Sequence, residues 1–255
     1  MQKNNLLIDY IQNNLASGIN SNFINIDTGV QKNLSEVHSN SNKIANNLNI
    51  QYPDKVMVVL PNSIEFIEIL IGVFINGSIF CPVPYFLEKQ EFKKLIGYVK
   101  PALIITDRID LENEYGNETK FLSYAQIIES SKVIKRSQYK IKAENVASLY
   151  YSSGTTGNPK GVLYSHKNIS SLINSIVKKF QFNKNDRHLT MLPFGHTASI
   201  NYNILPSLMT GGDLYITSGF EKIRTNFFST ISKYEITYTQ IVPTILFLLN
   251  KLNIN

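Results

Sequence analysis

The sequence is poor in cysteine and contains no dense block of basic residues. Cys81 is the only cysteine among 255 residues, so neither an internal disulfide nor a cysteine-based metal site can form. We therefore expect a reducing compartment, the cytoplasm. Lys and Arg exceed Asp and Glu by 25 to 19, but they are scattered along the chain. Because nucleic-acid binding requires clustered positive charge, no nucleic-acid partner is expected.

No stretch is long and apolar enough to predict a membrane span. The most hydrophobic region, residues 64–86, is interrupted by Glu65, Glu68 and Pro82. A spanning helix needs about 20 predominantly apolar residues. Residues 1–20 also lack the apolar core of a signal peptide. We expect a soluble protein.

Composition and pattern predict an α/β fold. Hydrophobic residues make up 43% of the chain and charged residues 17%, as in ordinary globular proteins. Short apolar runs alternate with helical patterns, which is typical of a parallel sheet covered on both faces. The fold class is therefore α/β, with doubly wound, mostly parallel sheets and helices on both faces. Strands are predicted at 56–60, 79–83, 103–106, 146–150, 162–164, 189–194, 213–217 and 236–242, and helices at 33–48, 62–75, 88–99, 124–128, 169–180, 203–209 and 223–234.

Several residues predict where helices begin and end. Asn33, with Glu36 three residues later, predicts a capping box, and Asn62 and Asn168 are predicted N-caps. Pro243 is suited to the first position of a final helix. We expect one subdomain over residues 1–185 and the start of a second, incomplete one over 186–255.

The stretch between the strands at 146–150 and 162–164 is rich in glycine and hydroxyl residues. Ser152 to Gly157 are all Gly, Ser or Thr, and Lys160 follows. Glycines let a backbone approach a ligand closely, and successive N–H groups in such a turn form an anion site. The spacing matches neither the P-loop nor the Gly-x-Gly-x-x-Gly motif. Oligophosphate suits this set, and a flexible Ser/Gly surface loop is the alternative.

Ser152 to Gly161 resembles the phosphate-loop signature of the AMP-forming acyl-activating ligases, which include acyl-CoA synthetases, luciferases and the adenylation domains of peptide synthetases. Ser152 is the one departure, because the family more often has Thr there. The resemblance implies that ATP is bound while a carboxylate attacks its α-phosphorus. It assigns ATP binding to Ser152, Ser153, Gly154, Thr155, Thr156, Gly157 and Lys160, a catalytic role to Lys160, and a Mg²⁺ contact to Ser152.

A second segment of the resemblance surrounds His196. Met191 to His196 is similar to the family segment whose His or aromatic residue lines the acyl pocket and controls the approach of the carboxylate to ATP. His196 follows a predicted strand, and ligands gather at the carboxyl ends of strands in open α/β sheets. The resemblance therefore implies a catalytic and pocket-lining role for His196. Ser199 departs from the pattern, because many members have Gly there.

A third segment implies further pocket residues. Thr237 to Pro243 resembles the strand that lines the acyl pocket, which implicates Thr239, Gln240 and Pro243. Gln240 stands where the family often has Gly, which would shorten or polarise the pocket. An ordinary buried strand is the alternative for each side chain.

Two other features are interpreted as structural. His166 precedes the helix at 169–180, where it is expected to hold the turn. Thr210 to Asp213 superficially resembles the ribose-binding Thr-Gly-Asp of these ligases, but it comes too early in the chain, and a helix C-cap explains Gly211 and Gly212.

The resemblance covers residues 33–252 and about the first half of the family's adenylating unit. The later metal-binding Glu, the ribose-binding Asp and the lid with its catalytic lysine have no counterpart, so this chain alone is expected to be catalytically incomplete. The expected partners are a small carboxylate, ATP with Mg²⁺, and a thiol acceptor that is coenzyme A or a carrier protein. Two alternatives stay open: a truncated or split gene product that needs a partner chain, and a non-enzymatic nucleotide-binding module.

Overall fold

The computed structural model describes residues 6–130, 140–152 and 160–251, apart from the side chain of Ser152. In chain order its strands are β1 (Asn22–Asn25), β2 (Gln31–Asn33), β3 (Lys55–Val59), β4 (Ile79–Pro82), β5 (Leu103–Thr106), β6 (Phe121–Leu122), β7 (Val146–Ser152), β8 (Lys160–Ser165), β9 (Arg187–Thr190), β10 (Asp213–Ile216) and β11 (Tyr238–Thr239). Within these residues, none of the helices has the length and apolar character needed to cross a membrane.

The helices lie between the strands. They are α1 (Leu7–Ala16), α2 (Leu34–Asn47), α3 (Ile64–Asn76), α4 (Lys89–Val99), α5 (Ile109–Tyr115), α6 (Tyr124–Ile128), α7 (His166–Phe180), α8 (Thr197–Ser199), α9 (Leu205–Thr210), α10 (Phe220–Ile223), α11 (Phe227–Lys233) and α12 (Pro243–Lys251). A π-helical turn, Ile200–Ile204, joins α8 to α9, and a 3₁₀ turn, Arg224–Asn226, joins α10 to α11.

The strands form two sheets. The larger sheet has the order β6-β5-β3-β4-β7-β8 and the smaller sheet the order β11-β9-β10-β1-β2. Among the described residues, β7 pairs antiparallel with β8 and β1 with β2, and the other paired strands are parallel. Alternate residues of β3 enter two different buried clusters, so both faces of the larger sheet are covered. The predicted α/β class is confirmed.

The smaller sheet joins distant parts of the chain. β1 pairs with β10, and its residue Phe23 lies opposite Leu214. The sheet therefore contains residues 22–33 as well as strands that follow residue 186. The division into subdomains at residue 185 stays a prediction, and the topology adds β1 and β2 to the later sheet.

Local capping signals gave mixed results. The predicted capping box of α2 is present, with the Asn33 side chain accepting from Glu36 N at 3.0 Å. The predictions for α3 and α7 were wrong. Ser63 caps α3 and Ser165 caps α7, where Asn168 is the third helical residue and accepts from Ser165 N at 3.1 Å.

Some predicted elements differ in length. β11 has two residues rather than the seven predicted at 236–242, and it pairs with β9. The helix predicted at 203–209 starts earlier, since α8, the π-helical turn and α9 run without a break from Thr197 to Thr210. Gly211 then ends α9 with φ 77°, as the C-cap interpretation requires.

A close contact between α2 and α3 depends on a glycine. A Cβ at Gly72 would lie 2.7 Å from Ile44 Cγ2 and 3.0 Å from the Ser41 carbonyl oxygen. Ile44 is fully buried and Ser41 donates its hydroxyl to Val37 O, so neither neighbour has room to move. The two helices approach this closely because residue 72 has no side chain.

Gly72→Ala is therefore expected to lower the free energy of unfolding by about 1–3 kcal/mol through overpacking. Gly97→Ala is the matched control, because a Cβ there would meet nothing within 4 Å on the exposed face of α4. Helix propensity alone would stabilise that variant by up to about 1 kcal/mol. Urea unfolding of both variants measures the difference, and equal stabilisation would show that the α2–α3 contact is not tight.

Candidate functional site

The predicted site segments follow the carboxyl ends of parallel strands. β7 leads into residues 153–159, β9 leads into the turn with His196, and β11 ends at Thr239. Since β9 and β11 are neighbours in the smaller sheet, Thr239 and the His196 turn lie at the same sheet edge. This is the edge at which open α/β sheets bind ligands.

The predicted phosphate loop is described at its two ends only. Ser153, Gly154, Thr155, Thr156 and Gly157 lie outside the described residues, as does the side chain of Ser152.

At the ends of the loop, the backbones of Ser152 and Lys160 pair across β7 and β8. The loop is therefore the connection of an antiparallel hairpin at the carboxyl end of β7. Lys160 is exposed there. An exposed lysine beside the end of such a loop fits a phosphate ligand.

The turn with His196 packs directly against the larger sheet. A Cβ at Gly195 would lie 2.3 Å from Pro84 N and 2.5 Å from Val83 C, which are both backbone atoms. These atoms follow β4, and β4 pairs with β7. The structure thus brings the His196 turn to the strand beside the one that leads into the loop. His196 is exposed, and its side chain makes no capping hydrogen bond.

A buried amide connects the two sheets at this point. Asn62 donates from Nδ2 to Leu192 O and to Thr217 O, both at 3.0 Å, and its Oδ1 accepts from Phe194 N at 2.9 Å. It is 6% exposed. The sequence interpretation missed this role because an Asn before an apolar helix also suits an N-cap. Its position directly after a buried strand and Pro61 is the only local signal.

The helix after His196 is fastened to β9 and the segment that follows it. Ser199 donates its hydroxyl to Leu192 O at 2.6 Å, and Asn203 Nδ2 donates to Leu189 O at 3.1 Å. Ser199 is buried, so this departure from the family pattern holds the turn in place. The helix includes the π-helical turn, a feature that is frequent at functional sites.

The predicted pocket residues near β11 have different surroundings. Thr239 donates its hydroxyl to Leu189 O at 2.8 Å, so it ties β11 to the strand that leads to His196. Gln240 Oε1 accepts from the Tyr238 hydroxyl at 3.0 Å. Pro243 is exposed at the first position of α12, as predicted. Their roles in binding an acid stay predictions.

Two histidines are buried away from the His196 turn. Burial lowers the pKa of His166 to about 4, and its ring packs edge-on against Phe74. Burial likewise lowers the pKa of His188 to about 4, and its ring lies 4.7 Å from that of Phe182. Both imidazoles are neutral at pH 7, which is consistent with the structural role predicted for His166.

In the part of the chain that the structure describes, no three His, Cys, Asp or Glu side chains are grouped so as to hold a metal ion. The predicted Mg²⁺ contact at Ser152 falls on a side chain outside the described residues.

A family model and curated relatives each match most of this chain. A family model described as "AMP-binding enzyme" matches residues 19–254. The chain is 29% identical to 4-coumarate–CoA ligase 1 from Petroselinum crispum, over 92% of this chain and 46% of that protein. It is 30% identical to 4-coumarate–CoA ligase from Vanilla planifolia, over 80% and 40%. The chain thus spans less than half the length of these curated relatives.

Solved structures share the fold. The o-succinylbenzoate CoA synthetase of Bacillus subtilis, in complex with the acyl-adenylate intermediate OSB-AMP, superposes with a TM-score of 0.84 at 22% identity, over 97% of this chain and 50% of that one. The same enzyme in complex with ATP and magnesium ion gives 0.84 at 20% identity, over 98% and 67%. At these identities the likeness shows the fold alone.

Asn62→Asp tests the amide that connects the sheets. A carboxylate cannot donate to Leu192 O and Thr217 O, and it adds a buried charge, so we expect a loss of about 2–4 kcal/mol in unfolding free energy. Asn117→Asp, in an exposed turn, is the control and should stay within about 0.5 kcal/mol. Urea unfolding gives both values, and amide spectra report whether Phe194 and His196 shift. Equal stabilities would refute the structural role of Asn62.

The buried histidines predict a loss of stability in mild acid. Their folded-state pKa values of about 4 lie below the unfolded value of 6.5, so the unfolded chain binds more protons as the pH falls between these limits. The free energy of unfolding is at its full value above pH 6.5, and we expect each histidine to lower it by about 2 kcal/mol at pH 5. Urea unfolding at pH 7 and pH 5 measures this loss. In His188→Leu the loss of unfolding free energy between pH 7 and pH 5 should be smaller by the contribution of His188. An unchanged loss would contradict the lowered pKa of His188.

Proposed function

The chain belongs to the AMP-binding enzyme family, and from this membership we propose that it forms the nucleotide-binding half of an ATP-dependent carboxylate-activating ligase. In the proposed reaction a carboxylate oxygen attacks the α-phosphorus of ATP. The bond from the α-phosphorus to the bridging oxygen of pyrophosphate breaks, and acyl-adenylate and pyrophosphate form. ATP with its Mg²⁺ supplies the electrophilic phosphorus, and the chain supplies the groups that hold and orient the reactants.

The observation that carries the proposal is that two segments lie near the carboxyl ends of the neighbouring strands β4 and β7. Lys160 lies beside the end of β7, and the His196 turn packs on the backbone that follows the neighbouring strand β4. A phosphate site next to a pocket for an acid is the arrangement that adenylation needs, because the nucleophile and the phosphorus must be held close together.

We assign roles on this basis. The exposed Lys160 ammonium binds the pyrophosphate end of ATP together with the loop Ser152–Gly157, and Ser152 contacts Mg²⁺. Preorganised cations and N–H donors of this kind stabilise the charge that develops on the transferring group. His196, Thr239, Gln240 and Pro243 shape the pocket for the carboxylate.

Coenzyme A is the proposed acceptor in a second step, in which its thiol attacks the acyl carbonyl and AMP leaves. The support is that relatives with 29–30% identity are named as CoA ligases of 4-coumarate. A carrier-protein thiol is the alternative acceptor. The predicted cytoplasmic location stays a prediction.

A second polypeptide segment is proposed to complete the site. The curated relatives are more than twice as long as the region that matches this chain. Apolar side chains are exposed on β8 and α12, namely Val162 at 49%, Leu163 at 58%, Leu246 at 50% and Phe247 at 58%. Since β8 is an edge strand of the larger sheet, these surfaces suit coverage by such a segment. A decayed gene product and a non-enzymatic nucleotide-binding module are the remaining alternatives.

ATP–pyrophosphate exchange tests the proposal. It is measured with a panel of carboxylates, including hydroxycinnamic acids, on the chain alone and on the chain mixed with the complementary half of a relative. Carboxylate-dependent exchange in either sample supports adenylation. ATP binding without exchange in both samples favours the nucleotide-binding module. The intact mass of the native protein is measured as well. A mass above the 28.9 kDa of this chain would identify the second segment as part of the same polypeptide.

Lys160→Ala is expected to lower exchange in the completed enzyme by about a hundredfold or more, because one charged contact to the developing pyrophosphate is lost. Lys167→Ala is the control, since Lys167 is also exposed but lies in α7 beyond the end of β8. Its exchange rate should match that of the unmodified protein. Unchanged exchange in Lys160→Ala would remove the role assigned to this lysine.

A further inference from the structure

A cleft lies at the carboxyl ends of β4 and β5 in the larger sheet. We call it the β4–β5 cleft; its volume is about 530 Å³. One wall is formed by residues 85–88, which follow β4, and the other by residues 107–110, which follow β5. The first wall begins directly after Pro84, whose backbone packs against Gly195. A molecule bound in this cleft would therefore border the His196 turn.

Each wall of the cleft carries a strongly exposed apolar side chain. Phe86 is 86% exposed and Ile109 is 68% exposed, the two highest values for large apolar side chains in the part of the chain that the structure describes. The Phe86 ring packs edge-on against that of Tyr85, with the ring centroids 5.0 Å apart. Single exposed apolar residues are common on protein surfaces, but two that line one concave surface are suited to docking a partner.

The side chain of Arg108 joins the two walls. Its Nη1 donates to Tyr85 O at 3.1 Å and to Leu87 O at 2.9 Å on the opposite wall. Its Nε and Nη2 donate to the two carboxylate oxygens of Asp110, at 3.2 and 2.7 Å. The cleft is therefore a preformed feature, because the segments that follow β4 and β5 are bonded to each other beside it.

The charge of the cleft is negative. Three acidic residues line it, Glu88, Asp107 and Asp110, together with the single basic residue Arg108, which is paired with Asp110. Within the described residues, no Lys, Arg or His nitrogen lies within 4 Å of the Glu88 or Asp107 carboxylate. Burial and the neighbouring Asp107 carboxylate raise the pKa of Tyr85, so this hydroxyl stays neutral. Two exposed carboxylates without an ionic partner therefore stand beside two exposed apolar groups.

We propose that the β4–β5 cleft binds a polypeptide segment that presents a lysine or arginine next to large apolar side chains. The cation contacts Glu88 and Asp107, and the apolar side chains contact Phe86 and Ile109. The charge of the cleft repels nucleic acids and anionic membranes. Two copies of the cleft would bring like charges together, which disfavours a symmetric pair of chains. A small cation alone would leave both apolar side chains in water. The proposal does not depend on the adenylation reaction proposed above.

Titration of the isotope-labelled full-length chain with the capped pentapeptide Gly-Leu-Arg-Leu-Gly tests the proposal by amide NMR. Saturable shifts are expected at Phe86, Leu87 and Ile109. A peptide with Glu in place of Arg tests the role of charge, and a peptide with Ser in place of both Leu tests the apolar contacts. Each is expected to bind about tenfold more weakly or worse, because it loses an attraction or the burial of apolar area.

Variants of the apolar walls locate the peptide on the chain. Phe86→Ser/Ile109→Ser removes two exposed side chains, and the affinity for Gly-Leu-Arg-Leu-Gly should fall about tenfold or more. Val30→Ser/Phe228→Ser is the matched control, because these side chains are also exposed but do not line the cleft. Its affinity should equal that of the unmodified chain.

Variants of the carboxylates test the charge. Glu88→Gln/Asp107→Asn should lower the affinity about threefold or more, since exposed ion pairs contribute modestly. Glu129→Gln/Glu144→Gln removes the same charge from exposed positions outside the cleft and should leave the affinity unchanged. Equal affinity in the cleft variants and in their controls would overturn the proposal.

Two further measurements identify other occupants of the cleft. Sedimentation velocity measures self-association of the chain, and self-association that is lost in Phe86→Ser/Ile109→Ser would show that the cleft binds a second copy. Titration with arginine amide measures binding of the cation alone, and an affinity equal to that of Gly-Leu-Arg-Leu-Gly would show a site for a small cation. Either result, or the lack of any saturable shift with the peptide, would refute the proposed partner.

Discussion

The hydrogen bonds of one buried amide side chain link the two sheets. Asn62 lies between β3, a central strand of the larger sheet, and α3, and it contacts the segments that follow β9 and β10 of the smaller sheet. The position requires two donors and one acceptor within a few ångströms, and only a carboxamide side chain offers that combination. Because the surroundings are buried, an unmet carbonyl there would cost more than a surface hydrogen bond contributes. The relative placement of the predicted phosphate loop and the His196 turn depends on this junction.

The position of the His196 turn also depends on the lack of a side chain at Gly195. At Gly195 the backbone of the turn touches the backbone of Val83 and Pro84, so no side chain separates them. A contact between two main chains leaves less freedom than one between flexible side chains. The exposed imidazole of His196 is therefore presented from a rigid support, as a site on a scaffold requires for orientation.

Local signals predicted part of the molecule well. The β5 strand, the α6 helix and the Asn33 capping box depend on residues close in sequence, and their predictions were correct. Asn62 was assigned to a cap because its three partners lie 130 to 155 residues away, where no local pattern can show them. β1 and β2 were not predicted either; they pair with each other locally, but β10, the other partner of β1, is distant in sequence. The phosphate loop was predicted from a long sequence motif, which depends on residues that are close in sequence.

The pairing of β1 with β10 has a consequence for the order of synthesis. β1 and β2 are made early, but β10, which pairs with β1, begins only at Asp213. At roughly 5–20 residues per second, a growing chain adds the intervening residues in about 10–40 s. During that interval β1 has one unpaired edge, and Phe23, fully buried in the finished protein, lacks its cover. Until β10 has been translated, the β1 segment of a nascent chain is therefore exposed to chaperones and to proteolysis.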